Sequence, residues 1–473
     1  MRAIDKTAGN LALVAACCAV FVGFLDTTIT NLAVPSVASE FDVGAGTATW
    51  LATSYVIPFA ALLAPAGALA DAVGRARLFL VGVAVFTLCS LLIAVAPTFG
   101  LVLGARAAQG VGAALMTPAS LALILGTVAI ERRRAAIGLW SASGALAAAV
   151  GPALGGLVVE VSDWRVLFCL NVPIGLWALA AARRLRAADS ESRRWPDLLG
   201  GMLLAVAIGS LVYAVTEGPE KGWDSAQIIA FFGLSGTALA AALWRSRVHR
   251  LPALRLDLLR NRSFAVAAGL SAAYGMSLFT TMLLGVMFLV NVWGYSTLAA
   301  GFAMTPAALM TAVVGVGVSR LGATIPPRRM IAIGGVVLAA VIALLAALVS
   351  STAQLWALWL PAGIVMGIGV GLITVGISTV GTLAAPPSDF AAATGLLMAA
   401  RQVGGALGIA ILAAMLSEVT ATTAERPYAA IYWFAAAVTA LVAVGALLLR
   451  AAPPISPGAE SSTKVVANQG SER

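Results

Sequence analysis

Charge is scarce in this chain: 10% of its 473 residues are Asp, Glu, Lys or Arg, against roughly 25% in a soluble domain. With 61% hydrophobic residues and a mean hydropathy of +0.98, a soluble globular protein is excluded. Histidine is nearly absent, and the single His249 sits in a basic loop, which excludes a histidine relay across a membrane. The four cysteines, Cys17, Cys18, Cys89 and Cys169, lie in apolar runs without metal-ligand spacing and read as free packing thiols. No nucleotide-binding loop, metal-ligand set or nucleophile–histidine pair occurs, so no catalytic residue, metal or cofactor is expected and an enzyme is disfavoured. A channel is disfavoured too, because it needs rings of like residues from symmetric subunits.

What the chain has is apolar length. Fourteen runs near or above the roughly 20 residues that cross about 30 Å of hydrocarbon recur along it. They fall at 11–36, 47–69, 78–96, 99–126, 135–160, 164–182, 197–216, 228–245, 264–291, 297–319, 329–349, 354–383, 391–417 and 428–450. The first is too long for a signal-peptide core and is expected to remain as a helix. The basic excess follows alternate loops: 24 of the 29 Lys and Arg residues fall in the termini and every second loop. Trp50, Trp164, Trp223, Trp293, Tyr295, Trp356 and Tyr428 crowd the opposite side. This pattern predicts an even number of spans with both termini cytoplasmic, and it assigns the basic charge to membrane orientation, with no nucleic acid as partner.

Against that background Asp26 stands out, an acid deep inside the first run. A carboxylate at a helix centre costs about 2.5–3.5 kcal/mol, so it persists where it faces a cavity, finds a partner or binds protons. The other carboxylates fall in loops, tails or the last turn of a span. Arg106 is a matching intramembrane cation. Asp26 lies roughly 22 Å from the inner end of its helix and Arg106 roughly 10 Å from the outer end of its own, which in a 30 Å core puts them at similar depth. A pair between them is geometrically reasonable, either as a static lock or as a proton site. Because buried ion pairs contribute little to stability, the switching role explains its presence better. Arg401, beside Gln402, Gly404, Gly405 and Gly408, is a second intramembrane cation with two open readings: it binds an anionic group, or it reaches inward to the cytoplasmic interface.

An internal repeat organises the runs. Gly110 and Gly112 recur as Gly367 and Gly369, Gly138 as Gly395, and Gly151 as Gly408, all 257 residues apart; a slightly shorter offset maps Gly67 and Gly74 onto Gly315 and Gly322. Two six-helix bundles are implied at 11–182 and 264–450, with 183–263 as a linker carrying helices seven and eight. Residues 1–10 form a cytoplasmic N-terminus, and the Pro-, Ser- and Gly-rich tail 451–473 is expected to be disordered. Transporters built from such repeats place their binding site between the halves near the midplane.

Several motifs carry a family resemblance. The turn holding Gly67, Leu69, Asp71, Gly74, Arg75 and Arg77 resembles the loop motif of the major facilitator superfamily. Its glycines allow close helix approach, and its carboxylate can accept from free amides at another helix's N-terminus. Leu25, Asp26, Thr28, Ile29, Asn31, Ala33 and Pro35 resemble the first-helix motif of fourteen-helix drug exporters, with Thr30 where valine is common. Arg106, Gln109, Gly110 and Gly112 resemble the fourth-helix motif, and Gly144 with Gly151, Pro152, Gly155 and Gly156 the fifth-helix antiporter motif. Trp164, Arg165 and Asn171 to Gly175 match the opening of helix six.

The resemblance, which covers nearly the whole chain, is to the drug:proton antiporter group with fourteen transmembrane helices. It implies an all-α membrane protein of two six-helix bundles plus two inserted helices. Protons would enter at Asp26, paired with Arg106, to drive export of lipophilic drugs, antibiotics, dyes or biocides, cations among them. Gly67, Asp71, Gly74, Arg75 and Arg77 would gate the inner face, and Gly144, Gly151, Pro152, Gly155 and Gly156 would form a bendable seam between the halves. Thr30, Asn31, Gln109 and Arg401 are candidate cavity residues. The energy source is the proton gradient, the expected state a monomer in a bacterial cell membrane. The rival is a dedicated exporter of one endogenous metabolite or lipid.

Overall fold

Once a chain is this apolar, its backbone amides and carbonyls cannot turn to solvent, and helices that satisfy them internally are the available solution. In the computed structural model the described residues, 6–185, 197–249, 252–321, 325–348, 350–416 and 425–449, form an all-α bundle. Its principal helices are α1 Lys6–Glu40, α2 Trp50–Val73, α3 Arg75–Ala94, α4 Phe99–Thr127, α5 Arg133–Val161, α6 Asn171–Leu185 and α7 Leu198–Lys221. They continue as α8 Ala226–Val248, α9 Arg262–Asn291, α10 Thr297–Leu321, α11 Pro327–Leu348, α12 Leu360–Leu383, α13 Phe390–Leu416 and α14 Glu425–Gly445. Thirteen are long and apolar enough to cross a membrane. The shorter apolar stretch Arg165–Ala181, a one-turn helix running into α6, makes the fourteenth. The terminal segment 451–473 and residues 1–5 lie outside the described residues, as does the 186–196 part of the linker, and α1 begins at Lys6, inside the expected N-terminal segment.

Local chemistry sets the ends. Thr98, Asp197, Ser225 and Asn261 accept from first-turn amides of α4, α7, α8 and α9. Gly74 takes φ 115° in the tight turn between α2 and α3, a conformation other residues rarely adopt. Outward faces are apolar, as at Leu88, Val161 and Trp356, in keeping with lipid as their solvent.

The helix pairings state the duplication directly. In the first bundle α1 packs on α5 and α6, α2 on α4, and α3 on α4 and α6. In the second, α9 packs on α13 and α14, α10 on α12, and α11 on α12 and α14. Two seams join the bundles, α5 on α10 and α2 on α13, again exchanged by the repeat. The inserted α7 packs on α8 and also touches both α2 and α13, lying along that second seam.

The repeat glycines sit where backbones approach most closely. A Cβ on Gly110 or Gly367 would meet a carbonyl of α2 or α10, and one on Gly112 or Gly369 would meet α3 or α11. Across the seams, Gly138 faces Gly315 and Gly395 faces Gly67. Small residues at such crossings let apolar helices gain dispersion contact, the main attraction available in lipid.

Candidate functional site

Asp26 lies inside the first bundle with no solvent exposure. Its Oδ2 accepts from Arg106 Nη1 at 2.5 Å, and its Oδ1 accepts from Gln109 Nε2 at 3.0 Å and Asn171 Nδ2 at 2.9 Å. Ser90 Oγ accepts from the same two amides at 2.7 and 3.3 Å. Arg106 also donates to the Leu51 carbonyl at 3.0 Å and to Gln109 Oε1 at 2.7 Å, and its guanidinium lies 4.5 Å from the Tyr55 ring centre. Five helices, α1, α2, α3, α4 and α6, thus contribute to one network around this carboxylate, with α4 and α6 bonding it directly. Asn171 Oδ1 is the one buried polar atom of this cluster without a partner among the described residues. A buried carboxylate is tolerable when paired and bonded in this way, and removing either charge strands the other.

The structure therefore brings Asp26 and Arg106 together and corrects two assignments around them. Gln109 belongs to this closed network, its amide hydrogens committed to Asp26 and Ser90. Thr30 donates its hydroxyl to the Asp26 carbonyl of its own helix at 2.6 Å and is fully buried, so it is not a cavity residue. The side chain of Asn31 lies outside the described residues. Asp26 is also not the lone buried acid: Asp197, Glu217 and Asp389 are buried at helix ends beside Arg245, Lys221 and Arg255. Ser90 and Tyr55 escaped the sequence analysis, because one polar or aromatic side chain in an apolar run has no periodic signature. Asn171 was visible only as part of a motif.

At the basic face, Asp71 joins the halves. It accepts from Arg75 Nε at 2.8 Å and from the first-turn amides of α13, Ala392 N at 2.8 Å and Ala391 N at 3.4 Å. Arg75 reaches on to the Pro387 carbonyl, and Arg133 lies 5.1 Å from the Phe390 ring centre. Arg255, beyond the inserted helices, donates to both oxygens of Asp389 at 2.7 and 2.8 Å. Gly67 packs on the Ala391 carbonyl, which leaves no room for a side chain. The halves are closed against each other here. Gly74 supplies the turn, and Arg77 lies in the first turn of α3.

The fifth-helix glycines divide in a way the motif alone does not show. Gly144 faces Val20 and Phe24, Gly151 faces Thr28, and Gly155 faces Ile29 and Leu32, all on α1 within the same bundle. Only Gly156, against Leu298, and Pro152, against Gly301, meet the other half. The expected seam between halves is thus largely a seam between α5 and α1.

Arg401 lines a small interior cavity of about 20 Å³ between the bundles, walled by Leu121 and Trp140 from the first and by Tyr274, Thr374 and Met398 from the second. At the opposite face, Arg165 and Trp164 Nε1 donate to Glu40, holding its carboxyl below the usual carboxylate range chiefly through the arginine.

The family model of the Major Facilitator Superfamily matches residues 16–409 and 268–469. The chain is 34% identical over 424 residues to the multidrug resistance protein Stp of Mycobacterium tuberculosis, covering 88% of this chain and 77% of that one. It is 32% identical over 396 residues to the methylenomycin A resistance protein of Streptomyces coelicolor, covering 83% and 82%. Among solved structures, the human organic anion transporter MFSD10 shares its fold, with a TM-score of 0.62 at 13% identity over 94% of this chain and 99% of that chain.

Proposed function

The chain belongs to the major facilitator superfamily, and from that premise we propose that this multi-pass membrane transporter is a proton-coupled exporter of lipophilic drugs, antibiotics or related small molecules. The observation that carries the coupling is Asp26: a dehydrated carboxylate held by donors from three residues on two other helices. A proton on Asp26 removes the charge that Arg106 pairs with and turns an acceptor into a donor, so the contacts that clamp α1 to α4 and α6 loosen together. Loss of the proton restores them. A site of this kind couples proton release to a change in helix packing.

The basic face is read as cytoplasmic from its arginines, and the membrane as a bacterial plasma membrane from the relatives. The closed contacts at Asp71 and Arg255 then seal the inner side. The protein works as a monomer, with the proton gradient as its only energy source and no cofactor. Relatives named for resistance to many drugs support a broad substrate range. A relative named for a single antibiotic supports the narrower reading, an exporter of one endogenous metabolite or lipid. A panel of unrelated compounds in a pump-deficient host separates the two.

The test of coupling uses proteoliposomes with an imposed pH gradient. Asp26→Asn keeps shape and polarity but cannot exchange a proton, and gradient-driven transport should fall at least about 100-fold, a rise of about 2.7 kcal/mol in the effective barrier. Transport by that variant at the wild-type rate removes Asp26 from the proton path.

A further inference from the structure

Asp26 is matched in the second bundle by no acid, yet that bundle holds a cation. Arg401 lies eleven residues into α13, about 16 Å from its start and hence near mid-membrane. Among the described residues no carboxylate stands within ion-pair distance of it, whereas the buried acids Asp26, Asp71, Asp197, Glu217 and Asp389 each have another cation. An uncompensated guanidinium at this depth is costly and is retained where something else compensates it.

Its surroundings are built for an acceptor. Tyr274 on α9 and Thr374 on α12 share a hydrogen bond of 2.8 Å at the cavity wall, so whichever accepts in it keeps a proton to turn toward a guest, Tyr274 by giving up a long 3.4 Å bond to the Val370 carbonyl. Ser271, also on the wall, is already committed, donating to the Leu397 carbonyl at 2.7 Å. The cavity is lined by a guanidinium, neutral hydroxyls and Trp140, with no acidic side chain among its lining residues. A cation is repelled there. A carboxylate finds a planar two-pronged donor and a hydroxyl, the combination that binds such groups best.

We propose that Arg401, Tyr274 and Thr374 form an anion subsite that takes the carboxylate of a lipophilic weak acid carried by this protein. The proposal deepens the transport reading by naming a substrate class, and it runs against the expectation of cationic substrates. The cavity now has room for about one water. Because Leu121 and Trp140 belong to one bundle and Arg401, Tyr274 and Thr374 to the other, separation of the bundles enlarges it, so the subsite opens with the cleft.

The test measures binding to the purified full-length protein in phosphatidylcholine nanodiscs by equilibrium dialysis of three probes with one aromatic body: naphthalene-1-acetate, naphthalene-1-acetamide and 1-naphthylmethylammonium. The carboxylate should bind at least tenfold more tightly than the amide, with the ammonium weakest. Arg401→Gln should bring the carboxylate down to the amide's affinity and leave the amide unchanged, which also reports that the variant is folded. Arg401→Lys should keep part of the preference, and Tyr274→Phe should lower it severalfold. Equal affinity for the three probes in the unmodified protein overturns the proposal, as does a carboxylate preference that survives Arg401→Gln. If phosphatidylglycerol nanodiscs abolish the preference, the site belongs to a lipid headgroup and the substrate assignment falls. Failure of proton coupling would appear elsewhere, as absence of gradient-driven transport by the unmodified protein with probe binding intact.

Discussion

The two bundles are the same scaffold carrying different chemistry. Glycines that set helix approach recur at matched places: Gly151 meets Thr28 of α1, and Gly408 meets Thr280 of α9. Counting back two residues from each threonine sets Leu278 opposite Asp26. The 257-residue offset likewise sets Gly363 opposite Arg106 and Gly144 opposite Arg401. Backbone proximity was thus retained in both copies while every intramembrane charge was kept in only one. The first bundle holds an ion pair inside a hydrogen-bonded cluster, and the second a single cation facing the partner bundle. Packing positions tolerate duplication because each needs only a small side chain. A buried charge needs a whole shell of partners, and that shell exists once.

The sharpest way to test this contrast is the stability of two arginine deletions. Arg106→Ala strands Asp26 in a dry interior and should cost about 3–5 kcal/mol, read as a large fall in thermal midpoint in detergent, with much of it recovered by adding Asp26→Asn. Arg401→Ala removes a charge with no acid to strand and should be neutral or slightly stabilising. Equal losses would mean that Arg401 has a structural partner and that the contrast is false. Next in size, Gly151→Leu and Gly408→Leu should impair transport alike by overpacking equivalent crossings, each costing about 1–3 kcal/mol; a large effect in one bundle alone would break the equivalence.

Asp71→Asn should leave the protein inserted but weaken its tie to the α13 amides by about 1 kcal/mol, shifting the closed basic face severalfold toward open in crosslinking between α2 and α13. Unchanged populations would remove Asp71 from gating. The smallest effect belongs to Glu40. Its carboxyl is held low by Arg165, so the tie between α1 and the short helix before α6 is complete at neutral pH and disappears as pH falls through that lowered value. Protease nicking of the 41–49 segment should stay constant from neutral pH down through the ordinary carboxylate range and rise only below it, and Glu40→Gln should abolish that acid dependence.

Much of this could be read from the chain because membranes make sequences explicit. Apolar length marked the helices, and depth along the two helices is enough to pair Asp26 with Arg106. The Asp71 turn was legible because its residues lie close together in sequence. What stayed hidden depends on helix rotation. Nothing in the fifth-helix motif says that Gly151 and Gly155 turn toward α1 while Gly156 turns toward α10. Thr30 was misread because a hydroxyl in a helix can spend its proton on its own backbone, and Gln109 because an amide serves a cavity or a carboxylate equally well. Ser90 joins Asp26 from another helix across 64 residues of sequence, a proximity that no local pattern encodes.

The inserted helices give the molecule a sidedness that its duplicated core lacks. Gly201 and Gly209 of α7 sit on Pro65, Ile57 and Ala61 of α2, and α7 reaches α13 as well, so one flank of the cleft is shuttered by protein. Along the other flank, Leu157 and Val161 of α5 and Phe302 and Val313 of α10 are exposed to the hydrocarbon. The two seams between the bundles thus differ in cover: α2 and α13 lie beneath α7, while α5 and α10 pack on each other with apolar side chains exposed.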